Sequence, residues 1–124
     1  MALRCLLVDD SARFLQAARA LLEREGLVVD TALTGTEALR RAGVFRPDVV
    51  LVDIDLGDES GFELARRFDD QDEPGGPSVI LVSTHQREDF EELIAASPVL
   101  GFLAKSALCA DAVHELLLGA RGQA

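Results

Sequence analysis

The sequence predicts an α/β fold: a three-layer, doubly wound (βα)5 domain whose parallel sheet is covered by helices on both faces. Short apolar runs recur along the chain, as the buried strands of a parallel sheet require. Segments with helical spacing of apolar residues separate these runs, so strands and helices alternate. The chain has 124 residues, which suits one domain. We place that domain at residues 1–119 and treat 120–124 as a tail or the start of a linker.

The first strand is predicted from an apolar run, and the first helix from the residues at its two ends. Residues 6–8 form the first apolar run. A helix with Phe14 on its apolar face is predicted between Ser11 and Gly26. Serine is a favoured N-cap residue, and glycine is favoured just past the end of a helix. A weaker second strand begins at residues 27–29.

The second and third helices each begin with a capping-box pattern, in which a hydroxyl residue stands three positions before a Glu. Thr34 and Glu37 form this pattern in the second helix. Ser60 and Glu63 form it in the third helix. The third strand, residues 49–52, lies between these helices as a continuous aliphatic run.

The alternation continues through the rest of the chain. An acidic loop rich in Gly and Pro, residues 69–77, is predicted to be the most flexible segment and leads into the fourth strand at 79–82. Apolar residues between 90 and 94 mark the fourth helix, and residues 99–103 form the fifth strand. Ser106 is predicted to cap the fifth helix.

Strands that alternate with helices require right-handed crossovers, and these produce a parallel sheet. Two strand orders are common in such sheets, and five strands suit the flavodoxin-like order 2-1-3-4-5. In that order the first, third, fourth and fifth strands are neighbours. Ligands of open α/β sheets bind at the carboxyl ends of the strands, so the function is expected there.

The composition disfavours several classes of function. Twelve basic and twenty-two acidic side chains give a formal net charge of −10, which opposes direct binding to nucleic acid or anionic lipid. The longest apolar stretches are far shorter than the roughly 18 to 20 residues that cross a bilayer. We therefore expect a cytoplasmic protein without membrane attachment. Cys5 and Cys109 lack metal-ligand spacing and are predicted to be buried thiols.

Residues suited to phosphoryl transfer follow four of the apolar runs. They are Asp9 and Asp10 after the first strand, Asp53 after the third, Ser83 after the fourth and Lys105 after the fifth. These side chains are expected to meet at one edge of the sheet. Two carboxylates about 4 Å apart repel by roughly 4 kcal/mol at an effective dielectric near 20, so such a site requires positive charge.

A divalent cation and Lys105 would supply that charge. Mg²⁺ prefers oxygen ligands, and Mn²⁺ could substitute for it. The predicted metal ligands are Asp9, Asp10, Asp53 and the backbone carbonyl of Asp55. Asp53 is the predicted nucleophile, which attacks an incoming phosphoryl group and forms an acyl phosphate. Ser83 and Lys105 would then bind the phosphoryl oxygens.

These residues, in this order, resemble those of the response-regulator receiver domains of two-component phosphorelays, the CheY-like superfamily. The resemblance extends over essentially the whole chain. The matching positions are the acidic pair Asp9 and Asp10, the phosphoacceptor Asp53, the hydroxyl residue Ser83, the lysine Lys105 and the aromatic switch residue Phe102, three positions before the lysine.

The resemblance implies a phosphoacceptor signalling protein rather than a conventional enzyme. A histidine kinase or a phosphotransfer protein would phosphorylate Asp53 in a reaction that requires Mg²⁺. Ser83 would then move inward and Phe102 would rotate, which reshapes the face formed by the fourth helix, fifth strand and fifth helix. That face would bind a downstream protein of unknown identity or a second copy of the chain. In this family the positions of Asp55 and His85 influence how fast the acyl phosphate hydrolyses.

The chain departs from the family pattern at Ser106, where a proline preceded by a cis peptide usually follows the lysine. A cis Lys-Ser bond would cost about 3 kcal/mol or more, so a trans peptide with a different position of Lys105 is the alternative.

Two other functions remain open. A receiver-like scaffold would use the same faces for protein binding without accepting phosphate. A phosphatase of the haloacid dehalogenase type is suggested by Asp53 and Asp55, which resemble the nucleophile and acid of that family. The order of the elements argues against the phosphatase, because its nucleophile ends the first strand and its acidic pair comes late.

Overall fold

The computed structural model describes residues 2–70, 76–85 and 87–122. The strands are β1 (Arg4–Val8), β2 (Val28–Ala32), β3 (Val49–Asp53), β4 (Asp55–Leu56), β5 (Glu59–Ser60), β6 (Ser78–Ser83) and β7 (Gly101–Ala104). The helices are α1 (Ala12–Arg24), α2 (Gly35–Phe45), α3 (Gly61–Asp70), α4 (Glu91–Ala95) and α5 (Ala110–Gly122). Within the described residues, no helix is long and apolar enough to cross a membrane.

The main sheet has five parallel strands in the order β2-β1-β3-β6-β7. This confirms the predicted α/β class and the predicted order 2-1-3-4-5, since β6 and β7 are the fourth and fifth strands of this sheet. The central strand β3 is buried at all five of its residues, as expected for a strand with helices on both faces.

Alternate residues of the strands belong to two separate cores, one on each face of the sheet. Leu6 and Val8 of β1 pack with residues of α2, α3 and α4. Cys5 and Leu7 of the same strand pack with residues of α1 and α5. Successive side chains of a strand point to opposite faces, so each apolar run contributes to both cores. This arrangement holds the carboxyl ends of four strands close together.

Three predicted helix boundaries, at Ser11, Gly26 and Thr34, are confirmed by the structure. Ser11 Oγ accepts from the backbone N–H of Phe14 at the start of α1. Gly26 follows the end of that helix with a φ of +98°, a conformation that glycine adopts without strain. Thr34 Oγ1 accepts from the N–H of Glu37 at the start of α2.

The start of α5 differs from the prediction. Ser106 was expected to be its N-cap, but it lies in a 3₁₀ turn, Lys105–Ala107, and α5 begins only at Ala110. Cys109 stands at the cap position, and its Sγ accepts from the N–H of Ala112 at 3.4 Å. The thiol is therefore half-buried rather than buried. Cys5 is fully buried as predicted, and burial raises the pKa of its thiol to about 12.

Other boundaries shift by a few residues. The fourth helix is a 3₁₀ turn, Arg87–Phe90, that continues into the short α4. The predicted flexible loop 69–77 overlaps the end of α3, and its residues 71–75 lie outside the described part of the chain. Helix α5 continues to Gly122, whereas the domain boundary at residue 119 stays a prediction.

A small antiparallel hairpin, which the sequence did not predict, follows the phosphoacceptor candidate. Strands β4 and β5 pair Asp55 with Ser60 and Leu56 with Glu59. Gly57 begins the two-residue turn with a φ of +73°, a position where tight hairpins favour glycine. Glu59 Oε2 accepts from the N–H of Gly35 at the start of α2, which ties the hairpin to the rest of the domain.

Candidate functional site

The predicted carboxylates meet at the carboxyl edge of the sheet. Asp9 and Asp10 directly follow β1, and Asp53 is the last residue of β3. Each of the three offers a carboxylate oxygen, and these oxygens lie within 4.8 Å of one another. Asp9 is 1% and Asp53 8% exposed, whereas Asp10 faces solvent. The site is thus an acidic pocket with two buried carboxylates and one at its mouth.

Each buried carboxylate is held on both of its oxygens. Asp9 Oδ1 accepts from the N–H of Ser11, and its Oδ2 lies 2.6 Å from Lys105 Nζ. Within the described residues, Asp9 Oδ2 makes no other polar contact. Asp53 Oδ1 accepts from the N–H of Asp55 at 3.2 Å, and its Oδ2 accepts from Lys105 Nζ at 3.3 Å. One ammonium group therefore bridges the two buried carboxylates.

Lys105 reaches this position with a trans peptide. Among the described residues no peptide bond is cis, including the one between Lys105 and Ser106. Its side chain is 16% exposed. Burial lowers the pKa of Lys105, but its contacts with Asp9 and Asp53 outweigh this effect, so the pKa lies above its ordinary value. The ammonium therefore stays charged, and the departure at Ser106 does not remove the lysine from the site.

The same crowding raises the pKa of Asp53 to about 6. Burial is the main cause, and the negative charge of Asp9 adds to it. The hydrogen bond from the N–H of Asp55 and the charge of Lys105 act in the opposite direction but do not compensate fully. Lys105 alone therefore leaves the cluster short of positive charge.

The donor set fits a hard divalent cation. Carboxylate oxygens of Asp9, Asp10 and Asp53 are the ligand type that Mg²⁺ prefers, and Mg²⁺ commonly takes one or two carboxylates together with water. Asp10 faces solvent, so its carboxylate is accessible to water. The backbone carbonyl of Asp55 stays a prediction as a ligand.

Ser83 is the last residue of β6, and its hydroxyl is hydrogen-bonded within the turn that follows this strand. It is 3% exposed, and its Oγ accepts from the N–H of His85 at 3.0 Å. The same Oγ lies 3.3 Å from Nδ1 of His85. The exposed imidazole of His85 also lies edge-on to Phe90, with ring centroids 5.8 Å apart. His85 therefore contacts the hydroxyl that is expected to bind a phosphoryl group.

The predicted switch residue Phe102 is buried. It lies in β7, is 8% exposed and belongs to the core that includes Leu81 and Ile94. Its ring thus lies in the core on the side of the sheet that α2, α3 and α4 cover, whereas α5 packs in the core on the other side.

Two residues at the site have roles that the sequence did not indicate. Phe14 was assigned to the apolar face of α1, but its ring centroid lies 4.2 Å from Lys105 Nζ. Gly61, the first residue of α3, lies so close to β3 that a Cβ atom would overlap the carbonyl oxygen of Asp53. Both follow from tertiary packing, and periodicity along the sequence carries no signal for either.

The fold and the site together define a doubly wound α/β domain with an acidic centre at the carboxyl edge of its sheet. The family model for the response regulator receiver domain matches residues 5–116, and the chain belongs to this family. It is therefore a receiver domain of two-component response regulators, a signalling module rather than a conventional enzyme.

Three relatives illustrate the range of the family. The chain is 31% identical over 100 residues to the polar-differentiation response regulator DivK of Brucella anthropi, covering 81% of each protein. It is 39% identical over 97 residues to the aerobic respiration control sensor protein ArcB of Escherichia coli. This match covers 76% of the chain but only 10% of ArcB. The chemotaxis response regulator CheY4 of Vibrio cholerae superimposes with a TM-score of 0.77 at 26% identity, covering 99% of this chain and 98% of CheY4.

Proposed function

We propose that Asp53 accepts a phosphoryl group from the phosphohistidine of a histidine kinase or a phosphotransfer protein. A carboxylate oxygen of Asp53 attacks phosphorus, the phosphorus–nitrogen bond of the donor breaks, and the released imidazole takes a proton from water. The observation that carries this proposal is the bridge from Lys105 to Asp53 and Asp9, beside which Asp10 completes an acidic pocket open to solvent.

The chain's own residues prepare the attack. Asp53 must be ionised to act as a nucleophile, and its pKa of about 6 leaves it mainly ionised at neutral pH. Lys105 Nζ contacts both buried carboxylates. After phosphorylation it would form an ion pair with a phosphoryl oxygen in place of Asp53 Oδ2. Mg²⁺, or Mn²⁺ in its place, held by Asp9, Asp10, Asp53 and the carbonyl of Asp55, would neutralise charge on the transferring oxygens.

Phosphorylation would then alter the surface through Ser83. Its hydroxyl would leave His85 and donate to a phosphoryl oxygen, and the buried ring of Phe102 would adjust to the space that this movement opens. The affected face consists of α4, β7 and α5, and a downstream protein or a second copy of the chain would bind there. The N–H of Asp55 donates to Asp53 Oδ1 and His85 contacts Ser83 Oγ, so both residues would lie beside the acyl phosphate and influence its rate of hydrolysis.

Intact mass spectrometry tests the transfer step. After incubation with Mg²⁺ and acetyl phosphate, the wild type should gain one phosphoryl group of roughly 80 Da, and Asp53→Ala should gain none. Removal of Mg²⁺ with EDTA should abolish the gain. A gain that persists in Asp53→Ala, or its absence in the folded wild type with Mg²⁺, would contradict the proposal and favour a scaffold that does not accept phosphate.

The switching step has a separate test. Phosphorylation of the wild type should shift the NMR amide signals of α4 and β7, and these shifts should be much smaller in Ser83→Ala at equal phosphorylation. Equal shifts in the two proteins would show that the surface responds without this hydroxyl.

A further inference from the structure

We propose that Phe14 is a positioning residue that holds the ammonium group of Lys105 over the acidic pocket. The importance of this contact for phosphoryl transfer rests on the function proposed above. The contact between Phe14 and Lys105 itself does not depend on that function. Lys105 Nζ lies 4.2 Å from the centroid of the Phe14 ring, inside the range of a cation–π contact. The ammonium thus contacts Asp9 Oδ2, Asp53 Oδ2 and the face of this ring.

The position of the ring is fixed by the same carboxylate that binds the ammonium. Asp9 Oδ1 accepts from the N–H of Ser11, and Ser11 Oγ accepts from the N–H of Phe14. The ring then meets Lys105, whose Nζ returns to Asp9 Oδ2. These four contacts form a closed circuit, so the N-terminus of α1, the lysine and the acidic pocket are held in one arrangement.

A phenyl ring is chemically suited to this role. The lysine side chain is long and flexible, and ordering it costs conformational entropy. A neutral ring attracts the cation by its quadrupole without adding negative charge to a site that already holds three carboxylates. The attraction is stronger where water is excluded, and only 16% of the Lys105 side chain is exposed. Phe14 therefore favours the inward position of the ammonium.

The alternative role for Phe14 is ordinary packing, because it also contacts the core between the sheet and helices α1 and α5. Two substitutions separate these roles. Phe14→Leu keeps an apolar side chain against the core and removes the aromatic face. Phe14→Tyr keeps the aromatic face. Phe45→Leu is a matched control, since Phe45 makes the same kind of contact, 4.2 Å from the guanidinium of Arg4, at the far edge of the sheet.

Lys105 is the chain's only lysine, so a protein with isotope-labelled lysine gives a single set of lysine side-chain NMR signals. In the wild type, the ε-methylene protons should be shifted upfield by the ring current of Phe14. The upfield shift should be lost in Phe14→Leu and retained in Phe14→Tyr and Phe45→Leu. An unchanged shift in Phe14→Leu would overturn the proposal. This measurement needs neither metal nor phosphate, so its result is independent of the proposed phosphoryl transfer.

A kinetic measurement shows whether positioning matters for transfer. With acetyl phosphate and Mg²⁺, the apparent second-order rate constant of phosphorylation should fall roughly threefold to thirtyfold in Phe14→Leu. It should stay near the wild-type value in Phe14→Tyr and Phe45→Leu. Equal rates in Phe14→Leu and wild type would overturn the positioning role. If the wild type is not phosphorylated at all, the proposed function fails, while the NMR result still decides whether Phe14 holds the lysine.

Discussion

Lys105 Nζ lies closer to Asp9 Oδ2, at 2.6 Å, than to Asp53 Oδ2, at 3.3 Å. The lysine is therefore primarily the counter-ion of Asp9, and Asp53 receives only part of its charge. Burial and the negative charge of Asp9 outweigh this partial charge, so Asp53 has a pKa of about 6 although an ammonium group is in contact with it. The fold thus makes the ionised form of Asp53, the candidate nucleophile, less favourable than it is in the unfolded chain.

The first prediction concerns pH and stability without metal. The folded pKa of Asp53, about 6, lies above the reference value of 3.8 expected in the unfolded chain. The folded state therefore binds this proton more tightly, and stability is lost as pH rises from about 4 to about 6. Asp53→Asn lacks this loss. In EDTA, its free energy of unfolding should exceed that of the wild type by an amount that grows with pH, up to about 3 kcal/mol above pH 6.

Urea denaturation of both proteins between pH 4 and pH 8 measures this difference. Groups distant from Asp53 titrate alike in both proteins and cancel in the comparison. A difference that stays constant or shrinks with rising pH would contradict the raised pKa.

The second prediction concerns the cation. Mg²⁺ binds the folded site only, so it should raise the melting temperature of the wild type in a concentration-dependent way. Asp10→Asn should move the midpoint of this titration to about tenfold higher Mg²⁺ or beyond, because one candidate ligand loses its charge. Asp10 is exposed, so its replacement should not disturb the core.

Asp58→Asn is the control for this titration, since Asp58 is also exposed and lies in the hairpin turn after the site. It removes the same charge and should leave the Mg²⁺ midpoint unchanged. Equal midpoints in Asp10→Asn and Asp58→Asn would show that Asp10 is not a ligand.

The third prediction concerns the close approach of α3 to β3. A Cβ at position 61 would overlap backbone atoms of Asp53 and Ile54, which cannot move without distorting the site. Gly61→Ala should therefore lower the free energy of unfolding by about 2 kcal/mol or more. Gly43 in α2 has no atom within 4 Å of an added Cβ, so Gly43→Ala should instead stabilise the protein by about 0.5 to 1 kcal/mol. Chemical denaturation gives both values, and effects of the same sign would refute the packing described for Gly61.

The fourth prediction concerns the anchor of the hairpin. Glu59 accepts from the N–H of Gly35 and lies 3.5 Å from a guanidinium nitrogen of Arg67. Glu59→Ala leaves the first turn of α2 without this acceptor and should cost about 1 kcal/mol. Glu59→Gln can still accept the hydrogen bond and should cost less.

Glu23→Ala is the matched control, because the Glu23 side chain forms an exposed ion pair with Arg19 on α1. Its removal should change stability by no more than about 0.5 kcal/mol. Thermal or urea unfolding distinguishes the variants. A cost for Glu59→Ala no larger than that for Glu23→Ala would show that the anchor is energetically unimportant.

The sequence predicted the strands, their order and the meeting of Asp9, Asp10 and Asp53, because buried parallel strands are nearly pure apolar runs whose ends are marked by polar residues. It did not predict the β4–β5 hairpin, since two-residue strands show no periodicity. The prediction that Ser106 caps α5 was wrong, because a 3₁₀ turn follows β7 and α5 begins later in the chain. Cys109 occupies the N-cap position, although cysteine is not among the residues favoured there.

The contact of Phe14 with Lys105 had no sequence signal either. A phenylalanine on the apolar face of a helix is usually a core residue, and here it has both a core side and a face toward the ammonium. Such a contact depends on the distance between α1 and the loop after β7, which only the folded structure determines.

The acidic pocket draws Asp9 from the start of the chain and Lys105 from near its end, so it is a wholly non-local structure. During synthesis, a nascent chain would carry Asp53 long before β7 and Lys105 had left the ribosome. The bridge between Asp9 and Lys105 closes only when the last strand joins the sheet. The complete acidic site would therefore form only at the end of folding. Incompletely folded molecules would lack it and would not function as receivers.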